Sequence, residues 1–262
     1  MKKVAIIIPH YRKKLTPDEK TSVKHLNKYL NNYDKYLVLP DSIPNITLDL
    51  SRLKIEHFPS YFFQSLSKYS ELMNSEEFYQ RFSKYEYVLI YQLDALVFSD
   101  KLNDWCGRGF DYIGAPLFES IIGRLTHKMG EKFTGGNGGL SLRKVSSFIK
   151  VIQITKESAK RQSVNPMIRK FWFLKALFER KTHGQWLNAP AKDYPFNEDG
   201  FWSFEAIKYS PKFKIAPFNE ALKFSIEKYP GKCFELNHKQ IPFGCHAWAK
   251  YERSFWEKYL IK

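Results

Sequence analysis

The sequence predicts an α/β fold in which helices flank a mostly parallel central sheet, followed by an irregular second half. Short apolar runs alternate with helical patterns through the first third of the chain, as a parallel sheet requires. The 262 residues suffice for one large domain. Apolar residues make up 44% of the chain and aromatic residues 17%, which argues against long disordered stretches.

The first predicted strand covers residues 4–8, the apolar run VAIII. Two lysines precede this run, as at the start of a signal peptide, but Pro9 ends it after five residues, which favours a strand. A helix is predicted to begin at Thr16, because Thr16 can cap it, Pro17 suits the first turn and Glu19 completes a capping box.

Further strands are predicted over residues 36–39, 54–58 and 88–93, with one helix over 64–85. Asp94 therefore follows a central strand directly, at the carboxyl edge where open α/β sheets place their ligands. A simpler interpretation is that Asp94 only caps the next turn.

The second half is less regular, with a short strand within residues 110–116, a helix over 143–154 and loops rich in Pro and Gly. We predict a single domain, 1–262, with two halves, 1–116 and 117–262.

The formal charge of +15 indicates an anionic partner. Residues 120–182 hold 14 Lys and Arg against three acids, a local net of +11. An aromatic and basic stretch at 168–181 is either a helix packed on the core or one that seats the enzyme on anionic lipid. Nucleic acid is not expected as a partner, because no binding motif is visible.

Three cysteines without CxxC spacing suggest a reducing compartment, and we predict a cytoplasmic protein, peripheral on the membrane.

Four stretches carry the candidate chemistry: YQLDALVF at 91–98, GGNGGLSLR at 135–143, NEDGFW at 197–202 and PFGCHAW at 242–248. Each has an ordinary structural interpretation when taken alone. The glycines fit a tight loop, the acids a helix start, and His246 a hydrogen-bonded core histidine. Their order along the chain is what favours a shared function.

This order resembles the GT-A class of glycosyltransferases, most closely the bacterial and fungal glycosyltransferase-like family called domain of unknown function 5672. The resemblance runs from VAIIIPHY to PFGCHAWAKY. It implies a GT-A-like fold, a nucleotide-sugar donor and a saccharide or lipid-linked glycan acceptor. In such a fold, residues 1–116 would form the nucleotide-sugar-binding half and residues 117–262 the acceptor-binding and catalytic half. It also implies inverting transfer in cell-surface polysaccharide or lipopolysaccharide synthesis. The alternative is a carbohydrate-binding protein without catalysis, or a nucleic-acid-binding protein.

The resemblance also assigns roles to residues. Asp94 and His246 look like the ligands of a divalent cation, Mn²⁺ or Mg²⁺, although Gln92 replaces the first acid of the Asp-x-Asp-like motif. Asp199 looks like the general base, and Glu198 looks like the second catalytic acid of the Glu-Asp motif, which orients the acceptor or the neighbouring backbone. Trp202 and Trp248 are predicted acceptor contacts. The donor contacts implied by the motifs and by position in the sheet are Pro9, His10, Tyr11, Tyr69, Gln92, Asp94, Asn137, Gly138 and Gly139. For Tyr69 core packing is the stronger interpretation, and Tyr11 is as compatible with a simple loop aromatic as with base stacking.

Overall fold

A computed structural model describes residues 2–44, 46, 48–117, 136–161 and 190–261. The strands are β1 Lys2–Pro9, β2 Asp34–Pro40, β3 Leu53–Phe58, β4 Tyr85–Tyr91, β5 Leu96–Val97, β6 Tyr112–Gly114, β7 Leu140–Lys144, β8 Ser225–Ile226 and β9 Gly244–Cys245. The helices are α1 Pro17–Leu30, α2 Leu66–Met73, α3 Glu76–Arg81, α4 Leu102–Gly107, α5 Val145–Arg161, α6 Glu198–Gly200, α7 Ala206–Tyr209, α8 Phe218–Phe224, α9 Pro230–Leu236 and α10 Arg253–Glu257. A π-helical turn, Phe201–Glu205, joins α6 to α7.

The central sheet of the described chain has six strands in the order β3-β2-β1-β4-β7-β6. Strands β1 to β4 are parallel, whereas β7 runs antiparallel to both of its neighbours. The prediction of a mostly parallel α/β sheet is therefore confirmed. Because β7 lies between β4 and β6, the sheet combines strands from both sides of the boundary predicted at residue 116, and that division stays a prediction.

The core lies on both faces of this sheet. Along β1, Ile6 and Ile8 face α1 and pack with Leu26. Ala5 and Ile7 point to the other face, toward the aromatic side chains of α3, α5 and the π-helical turn. The alternation explains why β1 reads as a continuous apolar run, since both of its faces are buried.

The predicted start of α1 is confirmed. Thr16 accepts a hydrogen bond from the N–H of Glu19, and the carboxylate of Glu19 accepts one from the N–H of Thr16, at 3.2 and 2.7 Å. Such caps are worth about 1 kcal/mol.

The single helix predicted over 64–85 is wrong, because two helices, α2 and α3, occupy this range. The break falls at Asn74 and Ser75, where the Ser75 hydroxyl accepts from the N–H of Phe78 and starts α3. Leu66, the first residue of the shorter α2, is 61% exposed. The helix predicted over 143–154 begins instead at Val145, since Arg143 belongs to β7.

Candidate active site

A cleft of about 430 Å³ opens at the carboxyl ends of β1 and β4. Its walls come from the residues after β1, the start of α2 and the turn after β4. Six of the predicted donor contacts line it: Pro9, His10, Tyr11, Tyr69, Gln92 and Asp94. Open α/β sheets bind ligands at this edge, because adjacent loops diverge there and leave a crevice.

Two aromatic residues of the cleft differ in exposure. The Tyr11 ring is 59% exposed, so one face is available for stacking. Tyr69 is half-buried on α2, and its hydroxyl accepts a hydrogen bond from the amide of Gln92 at 3.3 Å. Tyr69 is thus both a packing residue and a cleft residue. His10 is buried, and burial holds its pKa below the usual value.

Asp94 stands at the mouth of the cleft with 51% of its side chain exposed. The turn that follows β4 is closed by the backbone, since the N–H of Ala95 donates to the carbonyl of Gln92 at 2.9 Å. The Asp94 carboxylate contacts His246 instead, with 3.2 Å between Oδ1 and Nε2. Asp94 therefore holds a charged partner while still reaching solvent.

A small sheet brings these two residues together. Strand β9 pairs with β5 on one side and with β8 on the other. Asp94 precedes β5 and His246 follows β9, and the carbonyl of Asp94 accepts from the N–H of Trp248 at 3.2 Å. The residue directly after β8 is Glu227, whose Oε1 lies 3.5 Å from Nδ1 of His246. His246 is consequently placed between two carboxylates.

The charges of these carboxylates determine the direction in which the pKa of His246 shifts. Burial acts to lower the pKa of His246, but Asp94 and Glu227 outweigh burial and raise it to about 10. Burial likewise acts to raise the pKa of Asp94, but the hydrogen bond to His246 and its charge hold it below the usual value. The two carboxylates therefore favour the protonated form of His246, and the charge of His246 in turn favours the ionised form of Asp94.

The side-chain atoms of Asp94, Gln92 and His246 that face one another are suitable ligands for a hard divalent cation. Nε2 of His246 lies 3.2 Å from both Oδ1 of Asp94 and Oε1 of Gln92. Two oxygens and one imidazole nitrogen suit Mn²⁺ or Mg²⁺, provided that His246 gives up its proton. In the described part of the chain, no three His, Cys, Asp or Glu side chains converge as a complete set of ligands. Water and ligand oxygens would have to complete such a shell.

The glycine loop, residues 136–139, lies beside this pair. The carbonyl of Gly139 accepts from the N–H of Gln92 at 2.9 Å, which ties the loop to the end of β4. Asn137 holds the loop from within, since its side-chain oxygen accepts from the N–H of Gly139 at 2.8 Å. A Cβ at Gly139 would overlap Nε2 of His246. A Cβ at Gly138 would overlap Oε1 of Glu198. Both glycines permit close approach of a charged side chain.

Glu198 forms a second ion pair on the other side of the loop. Its Oε1 lies 3.1 Å from Nη2 of Arg143, and the two side chains are 6% and 0% exposed. Arg143 also donates to Ser141 at 2.9 Å and to Tyr79 at 3.0 Å. The hydroxyl of Ser70 donates to Oε2 of Glu198 at 3.4 Å. This pair is enclosed by protein and fixes the turn that carries Asp199.

Asp199 differs from its neighbour because it is only half-buried. Burial and the charge of Glu198 raise the pKa of Asp199 to about 7, against the opposing effect of the N–H groups of Gly200 and Gly138. A carboxyl group with this pKa can accept a proton near neutral pH, which is the requirement for a general base.

Family and structural comparisons place the chain among known proteins. Residues 52–246 match the profile of the family described as "Protein of unknown function (DUF5672)". The chain belongs to this family. The matched segment contains Asp94, the glycine loop, the Glu-Asp pair and His246, so the DUF5672 profile spans most of the candidate site. No curated protein matches the sequence.

Three solved structures are similar to this DUF5672 protein in fold. The apo-form glycosyltransferase GlyE of Streptococcus pneumoniae TIGR4 has 13% identity and a TM-score of 0.48, and it matches 98% of this chain over 60% of its own length. A glycosyltransferase involved in glycosylation of the major capsid of PBCV-1 has 11% identity and a TM-score of 0.49, with 98% of each chain covered. Core-mannan synthase A of Aspergillus fumigatus, in its Mn/GDP form, has 12% identity and a TM-score of 0.39 over 56% of this chain and 61% of its own. At these identities the likeness concerns fold, not activity.

The predicted acceptor contacts, Trp202 and Trp248, have no exposed surface. Trp202 stacks on Phe148 at 3.7 Å in the core, and Trp248 packs among residues of α8, α9 and α10. Because both side chains are enclosed by other residues, neither presents a surface to an acceptor in this structure. The exposed aromatic beside the Glu-Asp pair is Phe196, which is 41% exposed and packs on Tyr194 at 5.6 Å.

Other predictions lie wholly or largely outside the described residues. The stretch 168–181 is not described, and of residues 120–182 only 136–161 are. Across the described chain, no helix is both long and apolar enough to cross a membrane.

Sequence reasoning missed two residues of the site, Arg143 and Glu227. Arg143 stands in the apolar-flanked run LSLRK, and a charge buried inside a strand calls for a partner. That signal was present in the sequence. Glu227, in the mixed run SIEKY, follows no motif and no long apolar run, so nothing in the sequence marks it as a site residue.

Proposed function

We propose that this protein is a glycosyltransferase that moves a sugar from a nucleotide-sugar donor to a hydroxyl of a saccharide or lipid-linked glycan. The observation that carries the proposal is the half-exposed Asp94, paired with His246, at the mouth of a cleft on the ligand-binding edge of the sheet. The N–H of Gly138 faces Asp199 and Gly139 lies against His246, so the residues proposed to bind the metal and to accept the proton contact neighbouring glycines of one loop.

The donor nucleoside would occupy the cleft, with its base against Tyr11 and its diphosphate directed to Asp94. Asp94, His246 and the side-chain oxygen of Gln92 would hold Mn²⁺ or Mg²⁺. When bound, such an ion neutralises the charge that develops on the departing diphosphate. The chain's own contribution is to hold these metal-binding side chains in place. It does so through the small sheet β5-β9-β8 and the hydrogen bond from the N–H of Gln92 to the carbonyl of Gly139.

In an inverting transfer, the acceptor oxygen bonds to the anomeric carbon as the bond from that carbon to the diphosphate breaks. The acceptor proton passes to Asp199, whose pKa of about 7 suits this task. Glu198 acts as a positioning residue, because its carboxylate is buried against Arg143 rather than facing an acceptor.

The acceptor saccharide would lie over Phe196, the exposed ring beside Asp199. Sugar rings present apolar C–H faces that pack on aromatic surfaces. We further propose a role in polysaccharide or lipopolysaccharide synthesis at the cytoplasmic face of a membrane, with residues 120–182 near anionic lipid. The basic composition of that segment supports this proposal.

A donor screen tests the proposed function. Thermal shifts against a panel of nucleotide sugars, with and without Mn²⁺, should identify one donor class that stabilises the protein. Incubation with that donor should then release nucleoside diphosphate, which Asp199→Asn should suppress. Donor binding without any release, even with a panel of saccharide acceptors, would instead identify a non-catalytic binding protein.

A further inference from the structure

The proposed reaction gives no role to the buried carboxylate of Glu227. Glu227 is 8% exposed and follows β8 directly. A buried carboxylate is costly unless it is paired, so its neighbour indicates its purpose. That neighbour is the ring of His246, on the side facing away from Asp94.

The backbone fixes this contact. Strand β8 is parallel to β9, with Ser225 opposite Gly244 and Ile226 opposite Cys245. Glu227 and His246 are the next residues on each strand, and the N–H of His246 donates to the carbonyl of Ile226 at 3.0 Å. Because register determines which residues are neighbours, the pairing of Glu227 with His246 follows from the sheet itself.

The ring of His246 has two nitrogens in different surroundings. Nε2 faces Asp94 and Gln92 at 3.2 Å. Nδ1 is buried and has no hydrogen-bond partner of good geometry in the described chain, and Oε1 of Glu227 at 3.5 Å is the carboxylate oxygen beside it. A shift of a few tenths of an ångström would bring Nδ1 and Oε1 into an ordinary hydrogen bond.

The backbone after His246 supports a constrained site. Ala247 has φ of +50°, in the left-handed region that residues with a Cβ seldom adopt. This conformation costs roughly 1–2 kcal/mol. The surrounding contacts must therefore hold the backbone at Ala247, the residue that follows His246.

We propose that Glu227 is a positioning residue: by accepting the Nδ1–H of His246, it keeps Nε2 directed at Asp94 and the cleft. The proposal rests on the proposed function, in which Nε2 holds a divalent cation. Histidines that bind metals commonly donate the other ring N–H to a carboxylate, which fixes the ring and the position of its proton. Glu227 also places a negative charge behind the ring in a site where Gln92 offers none.

The test compares Glu227→Leu, Glu227→Gln and Glu227→Asp with Glu235→Gln, a control at an exposed acid on α9. In the metal-free protein, NMR of ¹⁵N-histidine-labelled samples should show a slowly exchanging Nδ1–H of His246, identified by its absence in His246→Gln. We expect this signal to be lost in Glu227→Leu, weakened in Glu227→Gln and retained in Glu227→Asp and in the control.

Mn²⁺ affinity, measured by electron paramagnetic resonance, provides the second readout. Loss of an outer-shell partner typically weakens metal affinity by about 10–100-fold, and we expect this for Glu227→Leu with partial recovery in Glu227→Asp. An unchanged Nδ1–H signal in folded Glu227→Leu would overturn the proposal. If wild-type protein bound no Mn²⁺ while the NMR difference appeared, the metal role in the proposed function would fail and the positioning contact would stand.

Discussion

Two ion pairs flank the glycine loop, and they differ in one respect. Arg143 and Glu198 are 0% and 6% exposed, and each has further hydrogen bonds within the protein. His246 is also nearly buried, but its partner Asp94 is 51% exposed and lines a cleft. The first pair is complete without a ligand. The second presents one charged oxygen to solvent.

This difference separates a structural role from a binding role. A buried pair contributes little net stability against its desolvation cost, but it leaves a costly unpaired charge when one partner is removed. Removing the half-exposed carboxylate of Asp94 should cost less, because the buried ring of His246 keeps Glu227 beside it and can give up its proton. Mutations in the two ion pairs should therefore have different effects on the free energy of unfolding, although both pairs lie next to the same loop.

Breaking the enclosed pair should give the largest effect. Arg143→Met leaves Glu198 buried without a cation, and we expect a loss of about 3–5 kcal/mol in the free energy of unfolding. Urea denaturation followed by circular dichroism measures this loss. Asp94→Asn is the matched change at the open pair and should cost less than about 1 kcal/mol. Equal losses in the two variants would remove the distinction between the pairs.

Changing the proton acceptor should affect turnover rather than stability. Asp199→Asn should lower the rate of sugar transfer by about 10²–10⁴-fold with donor binding nearly unchanged. Because burial and Glu198 raise the pKa of Asp199 to about 7, the group is protonated below that pH and the wild-type rate should rise as pH increases through about 7. A rate profile that falls over this range, or an active Asp199→Asn, would exclude Asp199 as the base.

The two glycines sharpen the comparison within a single loop. A Cβ at 138 meets Glu198 and a Cβ at 139 meets His246, so Gly138→Ala should mainly reduce stability and Gly139→Ala should mainly reduce Mn²⁺ and donor binding. Overpacking of this kind costs about 1–3 kcal/mol. Gly107→Ala is the control, because a Cβ there has no atom within 4 Å. Thermal unfolding and calorimetric titration distinguish the outcomes, and identical behaviour of the two loop variants would contradict the account.

The smallest effect should come from the acceptor side. Phe196→Ala removes an exposed ring, and we expect a loss of about 1 kcal/mol in acceptor binding, roughly fivefold in KM, with donor KM unchanged. Ile207→Ala is the control, since Ile207 is also exposed, at 46%, but lies on α7. A change in donor KM alone would contradict this prediction, because it would place Phe196 in the donor subsite.

The parallel part of the fold could be predicted because its strands are buried on both faces. Runs such as residues 4–8 and 88–90 are continuously apolar, and the start of α1 carries explicit capping residues. The break between α2 and α3 was missed because Asn74 and Ser75 interrupt an otherwise regular apolar spacing without Gly or Pro.

The site was predictable only where residues resemble a known motif or follow a strand directly. Asp94 met both conditions. The run around Arg143 signals a buried charge but does not identify its partner, Glu198, and no local pattern marks Glu227 as the partner of His246. Trp202 and Trp248 show the same limit, because large aromatics near a motif serve the core as readily as a binding surface.

The central claim is that Asp94 and His246 hold a divalent cation that binds the donor diphosphate. Calorimetric titration of UDP and GDP, with and without Mn²⁺, tests it in wild-type protein, in Asp94→Asn and in the exposed control Asp100→Asn. The account predicts that Mn²⁺ strengthens binding of one nucleotide to wild type and to the control but not to folded Asp94→Asn. Equal Mn²⁺-dependent affinity in Asp94→Asn would contradict it.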